Sequence, residues 1–217
     1  MVYLPPSQSS NPETDRTDWD SDDEVDGLAD QDPLDITWVQ ILEFRVAVCS
    51  LPGDRHSGVR RSLVADMETL RKNGVTDIFV LCTDTELRRC KVPGLVVDYL
   101  QKGFASHHYP MAADQHPDMK LCLKLLQDIK SCLMKGKKPV IHCVDGLGQS
   151  CLVLAALCMM LNPPLPPTMA IAHIQQTRGP AAIQTIKQYN FVMDFQKNLA
   201  EFVRSHPFPS EQSSTIF

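Results

Sequence analysis

The run KKPVIHCVDGLGQSCLVLAAL, residues 137–157, decides how the rest of the chain is read. Two lysines lead into Pro139, Val140 and Ile141, an apolar run that reads as a short buried strand. A loop holding Gly146 and Gly148 follows, and from Cys151 to Leu161 the chain is apolar for long enough to make a helix. Strand, glycine-containing loop, helix is the layout that aims backbone N–H groups and a helix N-terminus at an anion. A cysteine at the mouth of such a loop, here Cys143, feels those dipoles, which lower a thiol's pKa and favour the nucleophilic thiolate. Anion binding beside a thiolate is the chemistry of cysteine-dependent phosphate-ester hydrolysis. The other reading is a structural cysteine buried between strand and helix, a common setting for a free thiol. On layout alone both stay open.

Working outward, the pattern alternates strands and helices. Residues 36–42 and 45–51 read as two strands with a tight connection near Glu43. Residues 60–73 read as a helix with Leu63, Val64, Met67 and Leu70 at helical spacing and an Asn73-Gly74 stop. The Ile78-Phe79-Val80-Leu81 run makes 76–82 a buried parallel strand. Thr83 to Glu86 can cap the next helix, which Pro93-Gly94 interrupts, and a further helix is expected over 95–102. Residues 104–111 supply another strand. Residues 118–135 form an amphipathic helix whose stripe is Met119, Leu123, Leu126, Ile129 and Leu133. A strand over 139–143 and a helix over 148–161 complete the central unit. Four prolines in residues 162–167 must form a connection. Thr168 is expected to cap a helix through Thr177, Arg178-Gly179-Pro180 to break it, and a long helix to run from about 183 to 204. The fold class is α/β, a mostly parallel central sheet flanked by helices on both faces. No internal repeat is evident.

Length and composition bound the rest. A chain of 217 residues with 43% hydrophobic residues suits one domain, assigned to 34–205, plus tails. No run of apolar residues is long enough to span a membrane, and no basic segment followed by an apolar one marks a secretory signal. Eight cysteines without metal-like spacing imply reduced thiols and a cytoplasmic or nuclear setting; the spacing lends no support to a metal-binding or redox protein. The net charge of −5 hides an asymmetry. Residues 13–35 hold 11 acids and one base, so they carry −10 and the remainder +5. A basic body suits an anionic ligand, although a solvated surface with no preferred partner would look the same. Residues 1–33 are too poor in apolar side chains to offset chain entropy and are expected to be a disordered acidic tail. Within it Ser21-Asp22-Asp23-Glu24 resembles an acidophilic kinase site, or is acidic tail and nothing more. Residues 206–217 are expected to be a second tail. No nucleic-acid or membrane partner is implied, and a monomer is expected.

The run from His142-Cys143 through Gly146-Leu147-Gly148 to Ser150 resembles the H-C-x5-R-S/T signature of protein tyrosine and dual-specificity phosphatases. Arg178-Gly179 followed by Ala182-Ile183-Gln184-Thr185-Ile186-Lys187-Gln188-Tyr189-Asn190 resembles the kinase-associated branch of that family. So do Leu51-Pro52-Gly53, Asp77-Ile78-Phe79-Val80 and Ser150-Cys151-Leu152-Val153. The similarity runs from about residue 36 to 202. It implies a cysteine-dependent phosphatase-like fold, no cofactor, and a phosphorylated cyclin-dependent kinase as partner. The implied reaction hydrolyses that kinase's phosphothreonine, or a phosphotyrosine or phosphoserine, through a phosphocysteine. Cys143 matches the nucleophile. His142 matches the histidine that supports the loop and tunes the thiol; a core histidine that binds nothing is the plain alternative. Ser150 matches the hydroxyl that stabilises the departing thiolate. Backbone N–H groups of Val144, Asp145, Gly146, Leu147, Gly148 and Gln149 would cradle the phosphate. Gln184 matches a position that helps place the hydrolytic water, or is a polar residue at a helix start. No metal ligand is implied.

Two positions depart from the signature. Gln149 stands where the family has arginine, whose charged, bidentate fork matches phosphoryl oxygens as charge spreads over them. Losing one neutral oxyanion donor costs about 10²–10³ in rate, and a phosphoryl-stabilising arginine is worth roughly 10³–10⁵. A loss of about 10³ or more is therefore expected, unless another cation such as Arg178 or Lys187 fills the space. The family's general acid falls on Ala113 in an ungapped match, with Asp114 one residue late. Either a slip of the loop brings Asp114 into place, or Asp114 and Asp118 are turn and helix-cap residues. Reduced activity is expected over full activity. The competing reading is a pseudophosphatase that binds its phosphoprotein without cleaving it.

Overall fold

Residues 33–112 and 117–206 are described by the computed structural model. The expected tails, 1–33 and 206–217, lie outside the described residues except for Pro33 and His206, and so does Asp114. All described residues belong to the larger of the two units into which the chain divides, Gln31–Phe217.

β1 (Ile36–Ile41) and β2 (Phe44–Cys49) make an antiparallel hairpin in which Ile41 faces Phe44. That register leaves Leu42 and Glu43 as the turn, with Leu42 at φ 53. β3 (Asp77–Val80), β4 (Ala105–His108) and β5 (Pro139–His142) are all parallel to their neighbours, giving the order β1-β2-β5-β3-β4. The sheet is thus mostly parallel, as expected, with β5 in the middle. Strands covered on both faces read as continuous apolar runs, and β3 and β5 are buried throughout.

Seven α-helices cover the two faces among the described residues. On one side α1 (Leu63–Lys72), α2 (Asp84–Arg89) and α3 (Leu95–Gln101) pack Met67, Leu70, Leu87, Leu95 and Tyr99 against Ile78, Val80 and Val140. On the other, α4 (Met119–Met134), α5 (Gln149–Leu161), α6 (Pro167–Arg178) and α7 (Ile186–Ser205) pack against Phe79, Leu81 and Ile141. Every residue of α5 from Gln149 to Met160 is buried. A helix apolar all round is a central helix, so its N-terminus meets the end of β5 in the middle of the fold.

Four local expectations are corrected. In α1 Val64 is exposed and Asp66 is buried, because the Asp66 carboxylate turns inward to accept the Gly53 N–H at 2.8 Å. Residues 104–111 yield only the four-residue β4: Tyr109 and Met111 still donate to Val80 and Leu81, but Pro110 has no N–H to continue the ladder. Thr168 does not cap α6. Pro166 takes the cap position and Pro167 the first helical one, where a fixed φ suits a helix start. α7 begins at Ile186 and not near 183: a 3₁₀ turn, Pro180–Ala182, comes first, and Thr185 and Gln188 form a reciprocal capping box. Asp118 caps α4 by accepting the Leu121 N–H at 2.9 Å, as one of the two readings held.

Candidate active site

The carboxyl end of a central parallel strand is where ligands bind in open α/β sheets, and β5 delivers His142 and Cys143 there. His142 is fully buried. Its Nε2 shares a 3.1 Å hydrogen bond with the Tyr99 hydroxyl of α3, whose ring meets the imidazole edge-on at 5.8 Å. Burial pushes its pKa down to about 4, a backbone hydrogen bond with Cys143 opposing and His108 adding to the fall. His142 is therefore neutral at physiological pH and wedges the strand end against α3.

Cys143 is 4% exposed. Its Sγ donates to the Leu147 carbonyl at 3.1 Å, a bond that needs the thiol proton. Burial raises the thiol's pKa; the Ser150 hydroxyl and the Ser150 and Gly146 N–H groups pull it down, Asp145 pushes it up, and the net shift is upward. The depressed pKa expected from loop dipoles is thus not what this conformation produces. A carbonyl faces the sulfur, and little of the residue meets solvent. Ser150 Oγ is buried, lies against the sulfur, and has no other hydrogen bond of ordinary geometry.

The loop is sewn to the end of β2, with Leu51 N–H donating to the Val144 carbonyl at 2.8 Å. Gly146 sits at φ 65, and a Cβ there would lie 2.4 Å from the Cys49 carbonyl oxygen, so only glycine fits. Gly148 sits at φ 47 and donates its N–H to the Ala182 carbonyl at 2.9 Å. The carbonyl of that same peptide is the Leu147 oxygen that accepts from Cys143 and from the Ser150 N–H. The Leu147–Gly148 peptide therefore faces the sulfur with its oxygen and points its N–H away. Of the cradle expected from Val144 to Gln149, the Gly148 donor is committed elsewhere.

Gln149 is 6% exposed, and its Nε2 donates to the Met111 carbonyl at 2.9 Å. It ties the loop to the segment leading into Asp114. Gln184 is exposed, and its Oε1 is the atom a Cβ on Gly148 would meet, at 2.5 Å. The structure thus gathers His142, Cys143, Gly146, Gly148, Gln149, Ser150 and Gln184 around one loop.

The part that sequence reasoning missed is how the loop is held. The Arg178 side chain is 7% exposed; its Nε donates to the Gly146 carbonyl at 3.3 Å, and its Nη1 to Thr37 Oγ1 at 2.9 Å and to the Asp35 carboxylate. Its charge is spent fixing the loop to β1. Lys187 is exposed on the first turn of α7. The Arg178-Gly179 pair marked the segment but not this role, and nothing local marked Tyr99 or the Met111 carbonyl. Among the described residues the one cluster of three converging metal-ligating side chains, Asp77, His107 and Cys132, lies not at this loop but toward the amino end of β3.

The family described as cyclin-dependent kinase inhibitor 3 matches residues 5–171. The human protein of that name is 38% identical over 202 residues, covering 91% of this chain and 95% of its own. The rat protein of that name is 37% identical over 193 residues, covering 87% and 91%. A crystal structure of kinase-associated phosphatase, with serine substituted for its catalytic-site cysteine, is similar at a TM-score of 0.76 and 39% identity, covering 79% of this chain and 98% of that one.

Proposed function

The chain belongs to the cyclin-dependent kinase inhibitor 3 family, and on that premise we propose that it binds a phosphorylated cyclin-dependent kinase while hydrolysing its phosphothreonine slowly or not at all. The observation that carries this reading is the 2.9 Å bond from Gln149 to the Met111 carbonyl. The residue in the arginine position has no charge, and one of its two amide N–H donors is committed to that carbonyl.

Binding of a phosphate uses the positive end of α5 and the loop N–H groups. It needs the Leu147–Gly148 peptide to reverse, releasing the Ala182 carbonyl and turning the Leu147 oxygen away from the sulfur. Arg178 keeps the Gly146 side of the loop in place meanwhile. A partner larger than a phosphate is supported by α7, which starts two residues after Gln184. Ile186, Tyr189 and Met193 are 79%, 43% and 36% exposed, and their spacing of three and four places them on one helix face. Eight buried, unpaired cysteines fit a reducing cytoplasmic or nuclear setting.

A second reading, residual hydrolysis, has support of its own. Ser150 Oγ lies free of other bonds beside the sulfur, and Gln184 lies against the loop. In that case the Cys143 thiolate attacks phosphorus, and the sulfur–phosphorus bond forms as the threonine oxygen leaves with a proton from Asp114; water placed by Gln184 then gives a proton back to the Asp114 carboxylate and attacks phosphorus, breaking the sulfur–phosphorus bond to free phosphate and the Cys143 thiolate.

The test compares affinity for one kinase in its phosphorylated and dephosphorylated forms. Preference of about tenfold or more for the phosphorylated form, competed by orthovanadate and without phosphate release, is expected. Equal affinity for both forms contradicts the reading.

A further inference from the structure

Asp77 opens β3, His107 lies in β4 and Cys132 in the last turn of α4, so three rigid elements bring one carboxylate, one imidazole and one thiol together. Their ligand atoms all lie within 4.8 Å of one another. Asp77 Oδ1 is 3.1 Å from His107 Nε2, 3.3 Å from Cys132 Sγ and 3.1 Å from Lys137 Nζ. A tetrahedral ion with bonds of about 2.0–2.3 Å to oxygen, nitrogen and sulfur holds its ligand atoms about 3.3–3.7 Å apart. The two short distances need to open by only a few tenths of an ångström. Independently, Asp77 is 1% exposed; the Thr76 side chain also lies against its carboxylate, yet the second oxygen, Oδ2, is buried without a hydrogen bond of ordinary geometry. A buried carboxylate oxygen without a well-formed hydrogen bond calls for an explanation, and a bound cation is one. The His107 ring is held in place by stacking on Phe79, centroids 4.4 Å apart and planes 11° apart.

We propose that Asp77, His107 and Cys132 form a three-ligand site for a zinc-class divalent ion, completed by water, with the Lys137 ammonium holding the cation's place until the metal arrives. Mixed oxygen, nitrogen and sulfur donors suit Zn²⁺ or Co²⁺ over the hard ions Mg²⁺ and Ca²⁺. Lys137 is 43% exposed on a flexible stem and can swing into solvent; His107 is 30% exposed, which leaves an entry path and room for water as the fourth ligand. On binding, Cys132 gives its proton to solvent and becomes a thiolate ligand. Two positive charges then face one carboxylate and one thiolate. The ion would pin the edge strand β4, three residues beyond which lies Met111, whose carbonyl holds Gln149. The ligands lie 30 and 55 residues from Asp77, which is why cysteine spacing gave no hint of the site.

The test titrates the full-length, reduced, metal-stripped protein with Co²⁺ and follows thiolate-to-cobalt charge-transfer absorption and the visible bands of tetrahedral cobalt. One equivalent is expected to bind, to be displaced by Zn²⁺, to weaken at least about tenfold in His107→Asn, and to lose the charge-transfer band in Cys132→Ser. Lys137→Ala leaves every ligand in place and is expected to tighten binding. Absence of the bands in both the unaltered protein and Lys137→Ala overturns the proposal. So does a charge-transfer band that persists unchanged in Cys132→Ser, since it then comes from another cysteine. Should Cys132→Ser fail to fold, unchanged affinity in both Lys137→Ala and His107→Asn overturns it equally.

Discussion

At the scale of the residue, the decisive feature is a donor pointed the wrong way. A guanidinium at position 149 would keep its charge whatever its bonds; the Gln149 amide has none, and its Nε2 serves the Met111 carbonyl. Cys143 is in the same situation, its thiol proton engaged by the Leu147 carbonyl and its pKa raised by burial. His142 provides a measurable signature of this dry surrounding. Its pKa is lowered by burial from an ordinary 6.5 to about 4, so the fold favours the neutral ring. The unfolded chain takes up a proton as pH falls below 6.5 while the folded chain does not, so this stability is complete above pH 6.5 and is lost on the way down to pH 4. Over the full window the loss is about 3 kcal/mol. The Asp66 carboxyl, raised by burial, acts in the opposite direction, so the comparison must be a difference. Denaturant unfolding between pH 7 and pH 4.5 is expected to show a steep loss in the unaltered protein and a shallower one in His142→Asn. Equal slopes contradict the assignment.

At the scale of the element, the loop between β5 and α5 is shaped by what it packs on. Gly146 is pressed against the backbone of Cys49 and Ser50, with no flexible side chain between them to give way. Gly146→Ala therefore adds a left-handed penalty of about 1–2 kcal/mol to a clash that only separation of the loop from β2 relieves. A stability loss of at least about 2 kcal/mol in denaturant unfolding is expected. A loss within about 0.5 kcal/mol would mean that the loop is not seated as described. Much of this level was legible beforehand. Apolar β5, two glycines and an apolar helix predict strand, loop and helix in the right order, and the burial of α5 on all sides explains why no amphipathic stripe marked it. What was misread has particular causes. Val64 carries the hydrophobicity but Asp66 carries the inward bond to Gly53. Thr168 is a good cap residue, but two prolines ahead of it already start α6, and the Thr185–Gln188 box starts α7 later than its apolar pattern does.

At the scale of the whole molecule, the residues of the candidate site could be named from the chain, but their state could not. The direction of the Leu147–Gly148 peptide depends on the Ala182 carbonyl, and the aim of Gln149 on the Met111 carbonyl, 38 residues away. Arg178 meets the loop, β1 and Asp35 only once α6 has folded back along β1, from 143 residues along the chain. Cys132, His107 and Asp77 likewise meet only in the assembled sheet. These long-range contacts hold the scaffold around Cys143 together, and on the proposed reading position 149 is what silences it. The measurement that tests this is single-turnover phosphate release from a phosphothreonine kinase substrate by the unaltered protein, Cys143→Ser and Gln149→Arg under identical conditions. The expected result is that the unaltered protein releases phosphate no faster than Cys143→Ser, while Gln149→Arg gains at least about 10² in rate. Turnover by the unaltered protein well above Cys143→Ser would contradict the account, because some other group would then be stabilising the phosphoryl charge.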